Sequence, residues 1–75
     1  MCVIESSNRI MDEVGYGNLV CLTRGGEDLL EIEFKRGKFF FSLNGKAVSS
    51  VKTKLTAKNH IMGYLNTGFV LDLII

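Results

Sequence analysis

The fold is decided by residues 28–43, which read DLLEIEFKRGKFFFSL. Apolar side chains alternate with polar or charged ones on both sides of Arg36-Gly37, a period of two that is typical of β-strands. If these two residues form a hairpin loop, six large apolar side chains share one face of the hairpin. The facing pairs are then Phe34–Phe39, Ile32–Phe41 and Leu30–Leu43. A slip of one residue would turn one strand's apolar side chains toward the charged face, so the pattern predicts its own register.

Three further turn signals divide the chain at Gly25-Gly26, Asn44-Gly45 and Asn66-Thr67-Gly68. Asn-Gly is the strongest of them, because both central residues of a type I′ turn need a positive φ. The last signal predicts a three-residue hairpin loop in which Leu65 faces Phe69. Residues 59–65 are accordingly expected to form a strand, in preference to a helix that Thr56 could cap.

Two segments fit the strand pattern less well. Val48 and Val51 would point to opposite faces of a regular strand, and a bulge near Ser49-Ser50 would return them to one face. Near the N-terminus, Asn8 could cap a short helix over residues 8–14, and a strand is the alternative.

A closed sheet follows from the remaining apolar positions. By the same registers, apolar side chains also fall on the second face: Val20, Leu22, Leu29, Phe40 and Ala47. An open sheet would leave that face and two edges in water. The sequence therefore predicts one all-β domain over residues 1–75, a small antiparallel barrel or sandwich of about six hairpin-connected strands, with a short N-terminal helix as an option.

The last strand, Phe69 to Ile75, needs a partner for its outer edge. Cys2-Val3-Ile4 would close a barrel, whereas a second copy of the chain would make a homo-oligomer by edge pairing. The candidate edge-strand interface consists of alternate residues: Phe69, Leu71, Leu73 and Ile75.

Composition indicates a globular, intracellular protein. The hydrophobic fraction is 47% and the charged fraction 23%, which is typical of a chain that folds. The apolar runs are far shorter than the roughly 20 residues of a membrane-spanning helix, and no secretory signal is visible. We therefore expect a cytoplasmic location and no membrane partner.

Charge is divided unevenly along the chain. Residues 1–33 hold seven acidic residues and two arginines, whereas residues 34–75 hold seven basic residues against one aspartate. Acidic strands could simply neutralise basic ones beside them, or the basic half could meet nucleic acid or an acidic protein. The candidate interaction surface consists of Lys35, Arg36, Lys38, Phe40, Lys46, Lys52 and Lys54.

No residue pattern indicates catalysis. His60 stands in an apolar segment without a nucleophile motif, and Glu31 and Glu33 alternate on a predicted solvent face. Cys2 and Cys21 are expected to be reduced thiols, too far from His60 in sequence to suggest a metal site. We expect no catalytic residue, no cofactor and no metal.

The sequence therefore favours a non-catalytic protein-interaction module of the inhibitor, adaptor or subunit type, acting through a charged sheet face or an exposed edge strand. The alternative is a small β-barrel that binds single-stranded nucleic acid. Arg36 to Phe41 resembles the aromatic strand of RNA-recognition motifs, with Lys38 where that pattern has an aromatic residue. That resemblance implies base stacking on a sheet face, but no pattern predicts the two helices of that fold.

Overall fold

The chain folds as an open five-stranded sheet covered on one face by two helices. The computed structural model describes residues 3–75. Its elements are, in chain order, α1 (Val3–Gly15), β1 (Val20–Arg24), β2 (Asp28–Lys35), β3 (Lys38–Leu43), β4 (Lys46–Val51), α2 (Lys54–Asn66) and β5 (Val70–Ile74).

The predicted all-β barrel or sandwich is wrong. The strands lie in the order β4-β3-β2-β1-β5, with every neighbouring pair antiparallel, so β4 and β5 form two edges that do not meet. Helix α2 carries the chain from β4 across to the far edge, where β5 pairs with β1. Val3 and Ile4 belong to α1 and do not form a closing strand; Cys2, the third residue of that predicted strand, lies outside the described residues.

The central hairpin is confirmed in its register. Phe34 pairs with Phe39, Ile32 with Phe41 and Leu30 with Leu43. Both two-residue loops have positive φ at each central residue. The φ angles are 54° and 77° at Arg36-Gly37, and 53° and 85° at Asn44-Gly45.

Helix α1 begins earlier than predicted. Its buried residues Ser7, Ile10 and Val14 recur at the spacing of one helix face. The Ser7 hydroxyl donates to the Ile4 carbonyl at 2.8 Å, so the buried oxygen is satisfied within the helix. Asn8, the predicted cap, is an exposed residue inside the helix.

Residues 59–65 lie in the C-terminal half of α2, so the predicted strand is wrong. Thr53 caps the helix, since its hydroxyl accepts from the Thr56 amide at 3.2 Å. Ala57 and Ile61 face the core at i, i+4 spacing and are fully buried. The loop at Asn66-Thr67-Gly68 therefore joins a helix to β5 and is not a hairpin loop.

The core lies between the helices and one face of the sheet. Val20 and Leu22 are fully buried within it, so their predicted place on the second face is wrong. Both helices pack against each other above this layer. The predicted bulge in β4 is present, but the extra residue is Val48: Phe41 pairs with Ser49 and Ser42 with Ala47. Val48 is half exposed as a result.

Candidate functional site

The sheet face turned away from the helices is uncovered within residues 3–75, and we call it the open face. Successive side chains of a strand point to opposite faces, so the residues of β2 and β3 that alternate with the core residues lie on the open face. From β2 and β3 it receives Leu29, Glu31, Glu33, Lys35, Lys38, Phe40 and Ser42. Of the five apolar residues predicted for this face, Leu29 and Phe40 are confirmed, and Ala47 joins them by pairing with Ser42.

Five of the six predicted basic residues lie at one end of the sheet. Lys35 and Lys38 are directly opposite each other at the end of the central hairpin. Phe39 pairs with Val51, which places Lys52 next to Lys38 across the sheet. We call this cluster the basic end; its residues are Lys35, Arg36, Lys38, Lys52 and Lys54, all exposed.

Lys46 does not belong to the basic end. It pairs with Leu43 at the far end of β3. Leu43 and Lys38 stand at opposite ends of β3, about 17 Å apart at the usual strand rise. Lys46 therefore serves as a natural comparison for residues of the basic end.

Phe40 lies on the open face beside the basic end. The Lys35 ammonium sits over its ring, 5.7 Å from the ring centroid, and lies 3.6 Å from a carboxylate oxygen of Glu33. Both members of that ion pair are well exposed, so the pair contributes little to stability. The Lys35 ammonium and the Phe40 ring therefore lie side by side on the open face.

The second candidate surface is the β5 edge. β5 is an edge strand and pairs only with β1 within residues 3–75. The four predicted interface residues do not share one face, however. The β1–β5 register shifts between Cys21 and Leu22, which leaves Asp72 as an extra residue between Leu71 and Leu73.

The bulge divides β5 between the two faces. Phe69 is buried and Leu71 packs against the core, whereas Leu73 pairs with Cys21 on the open face. Ile75 exchanges two backbone hydrogen bonds with Leu19, which continues the β1–β5 pairing. Alternation along a strand could not reveal this division, because the sequence contains no signal for the bulge.

An apolar stripe follows β5 on the open face. Thr23 pairs with both Leu29 and Val70, so these side chains are neighbours across three strands. The stripe consists of Leu29, Val70, Leu73 and Ile75, which are 38%, 60%, 52% and 66% exposed. Clustered exposure of large apolar side chains is typical of an interaction surface.

A groove of about 640 Å³ runs between α1 and the start of β5. Its wall is mainly apolar and includes both core-facing Leu71 and open-face Val70, so the groove reaches the edge of the sheet. Helix α1 contributes Val3, Glu5, Ser6, Arg9 and Ile10, and the other side is formed by Leu65, Phe69, Val70 and Leu71. Neither a helix that begins at Asn8 nor the alternative strand predicts the α1 wall; the helical spacing of Val3, Ser7, Ile10 and Val14 was the available signal.

Cys21 is a free, buried thiol beneath the open face. Burial raises the pKa of this thiol, and the negative charges of Glu31 and Asp72 add to the effect. The thiol is therefore largely protonated and poorly nucleophilic at neutral pH.

The residues considered for catalysis are not brought together. His60 packs its ring against Phe41, with the ring centroids 5.4 Å apart, and Glu31 lies on the opposite face of the sheet. No group of three or more metal-ligating side chains occurs among residues 3–75. In the same part of the chain, no helix is long and apolar enough to cross a membrane.

A polar network joins the two turns at the other end of the sheet. The Arg24 guanidinium donates to Asp28 Oδ2 at 2.8 and 3.1 Å, and Asn44 Nδ2 donates to Asp28 Oδ1 at 3.2 Å. These hydrogen bonds, that from Arg24 above all, hold the pKa of Asp28 below its ordinary value. The network fixes the loops that flank the start of β2.

Comparison with known proteins finds no matching protein family, no similar curated protein and no similar solved structure.

Proposed function

We propose that this protein is a non-catalytic binding module that takes an extended segment of another protein as an additional strand beside β5. The observation that carries the proposal is the apolar surface on both sides of that edge. The groove under α1 lies on the helix side, and the apolar stripe lies on the open face.

Strand addition matches this geometry. An edge strand offers backbone N–H and C=O groups that can pair with an extended peptide, and alternate side chains of the peptide then point to opposite faces. Beside β5, one set of side chains would enter the groove next to Leu71, and the other set would extend the stripe next to Leu73.

The charge of the edge favours a different protein over a second copy. Asp72 is exposed at the centre of Val70–Ile74. Two β5 strands paired about a two-fold axis at that centre would bring two Asp72 carboxylates together, which is unfavourable. A partner strand with a basic side chain opposite Asp72 would gain an attraction instead.

The β4 edge is less suited to this role. It carries Lys46 at its start and Lys52 just beyond its end, and Val48 forms a bulge within it. β5 also contains a charged bulge residue, Asp72, so these features do not distinguish the two edges. What favours β5 is the groove under α1 and the apolar stripe, which lie on the two sides of its edge.

The proposal is tested with a short synthetic peptide in which valine and threonine alternate about a central lysine. A matched peptide carries glutamate at the centre. Backbone amide shifts should change along Val70–Ile74, and the lysine peptide should bind about fivefold more tightly at low salt, the scale of an exposed ion pair. In Asp72→Lys, the preference should reverse.

Filling the groove provides an independent test. Ser6→Phe places a ring in the groove wall, whereas Asn8→Phe places the same ring on an exposed position of the same helix. Only Ser6→Phe should weaken peptide binding. Shift changes confined to β4, equal binding of the two peptides, or an equal effect of both phenylalanine variants would contradict the proposal.

A further inference from the structure

We propose that the basic end binds single-stranded nucleic acid, with its cations on the phosphates and Phe40 as a stacking surface for a base. The site lies apart from the groove beside β5 and does not depend on strand addition there. It is built from the residues Lys35, Arg36, Lys38, Lys52, Lys54 and Phe40.

The charged residues of the basic end lie close together. Lys35 and Lys38 are paired strand residues, and Lys52 directly follows Val51, the last residue of β4, which pairs with Phe39, so the three backbones span only about 10 Å at the usual strand spacing. Arg36 occupies the hairpin loop between the first two, and Lys54 follows Lys52 into α2. The five side chains can therefore reach one short stretch of a polyanion.

The charges of the basic end are unfavourable for the isolated fold. Lys35 and Lys38 are like charges placed directly opposite each other, an arrangement that destabilises a sheet. Arg36 adopts a φ of 54°, a region that L-residues other than asparagine and aspartate rarely occupy. Lys54 is the first residue of α2, where the helix dipole repels a cation.

Four of the five charges of the basic end form no ion pair within residues 3–75. Lys35 is the one member that forms an ion pair within residues 3–75, and that pair with Glu33 is exposed. A bound polyanion would offset the two charge repulsions, the one between Lys35 and Lys38 and the one between Lys54 and the helix dipole. The φ of Arg36 is required by the hairpin loop and is not changed by anion binding.

Phe40 favours nucleic acid over an acidic peptide. Its ring lies on the open face, next to the Lys35 ammonium. Because the lysine stem is flexible, the ammonium can move to a phosphate and leave the ring face to a base, which is the combination that single-strand binders use. An acidic peptide offers charges for the lysines but no base for the ring.

The test is fluorescence anisotropy of a labelled single-stranded oligo-dT of about 15 nucleotides, within the usual range of site sizes. Binding should weaken steeply as salt is raised. In Lys35→Gln with Lys38→Gln, affinity at low salt should fall about tenfold, and the slope of log K against log salt should lessen by about 1.4, since each single-strand phosphate contributes about 0.7.

Two controls distinguish the loss of this site from a general loss of positive charge and from misfolding. Lys46→Gln changes the same residue type at the opposite end of β3 and should leave affinity nearly unchanged. The Lys35→Gln, Lys38→Gln variant should melt no lower than the parent, because it removes a like-charge pair. No binding at low salt, or an equal loss in Lys46→Gln, would overturn the proposal.

Phe40→Leu distinguishes the two classes of polyanion. Loss of stacking should weaken oligo-dT binding about tenfold and leave the salt slope unchanged. Polyglutamate should compete poorly with oligo-dT. Equal competition by polyglutamate, together with unchanged affinity in Phe40→Leu, would overturn the assignment to nucleic acid in favour of an acidic protein segment.

Discussion

Arg36→Asn should stabilise the protein while removing a charge from the basic end. The structure contains its own reference for this change, because Asn44 occupies the same position of the other two-residue hairpin loop. The two residues have nearly identical φ angles, 54° and 53°, and each is followed by glycine. Asparagine tolerates this conformation better than arginine does.

The expected gain is about 1 kcal/mol. A left-handed conformation costs most L-residues roughly 1–2 kcal/mol, and asparagine avoids much of that cost. Removing the Arg36 charge from between Lys35 and Lys38 adds roughly a few tenths of a kcal/mol, the scale of exposed charge interactions. For a domain of this size, about 1 kcal/mol corresponds to a rise of roughly 4–8 °C in Tm.

The assay is urea unfolding followed by circular dichroism, with a thermal melt of the same variants. Asn44→Arg is the reciprocal control and should lose about 2 kcal/mol, because it adds the conformational cost and also loses the side-chain hydrogen bonds of Asn44. Asn44 Oδ1 accepts from the Leu29 amide at 2.8 Å, and Asn44 Nδ2 donates to Asp28 Oδ1 at 3.2 Å. An unchanged or lower free energy of unfolding in Arg36→Asn would refute the claim that the loop is strained.

Three further predictions concern stability and reactivity. Thr53→Ala should cost about 1 kcal/mol in urea unfolding, since it removes the N-cap of α2; no loss would contradict the cap. The hydrogen bond from Arg24 lowers the pKa of Asp28 in the folded state. The ionised Asp28 carboxylate therefore stabilises the fold at neutral pH, and this stabilisation is lost below about pH 4. As the pH is lowered through that range, the Tm of Asp28→Asn should fall less steeply than the Tm of the parent. Burial raises the pKa of the Cys21 thiol. In a Cys2→Ser background, iodoacetamide should therefore alkylate Cys21 more slowly than it alkylates free cysteine at neutral pH. Equal rates would contradict the burial of Cys21.

The central hairpin could be predicted because three local signals agree there. The period of two, the Arg36-Gly37 loop and the pairing of large apolar residues all require the same register, and the structure has it. No tertiary information was needed for this element.

Helix α2 was mispredicted because its apolar residues fit two periods. Ile61, Gly63 and Leu65 alternate as in a strand, whereas Ala57 and Ile61 have helical spacing. Tertiary packing decides between them: Ala57 and Ile61 are fully buried in the core, and Thr53 starts the helix. With α2 read as a strand, the predicted sheet has no covering layer, so only a barrel or a sandwich could bury its second face.

The candidate surfaces were predictable in composition but not in arrangement. The sequence identified the basic residues, yet only the topology shows that Lys52 joins Lys38 while Lys46 lies at the opposite end. For the last strand, the sequence left open whether its outer edge is closed by residues 2–4 or by a second copy, whereas β5 is an open edge within residues 3–75. The bulge at Asp72 and the groove under α1 depend on long-range pairing and helix placement, which local patterns do not encode.

The most direct measurement is a set of intermolecular nuclear Overhauser effects between the lysine-centred peptide and the methyl groups of the protein. Addition of a strand beside β5 predicts peptide contacts to Leu71 in the groove and to Leu73 on the open face in the same complex. Contacts to Val48 on the β4 edge, or to one face of β5 alone, would contradict the proposed mode of binding.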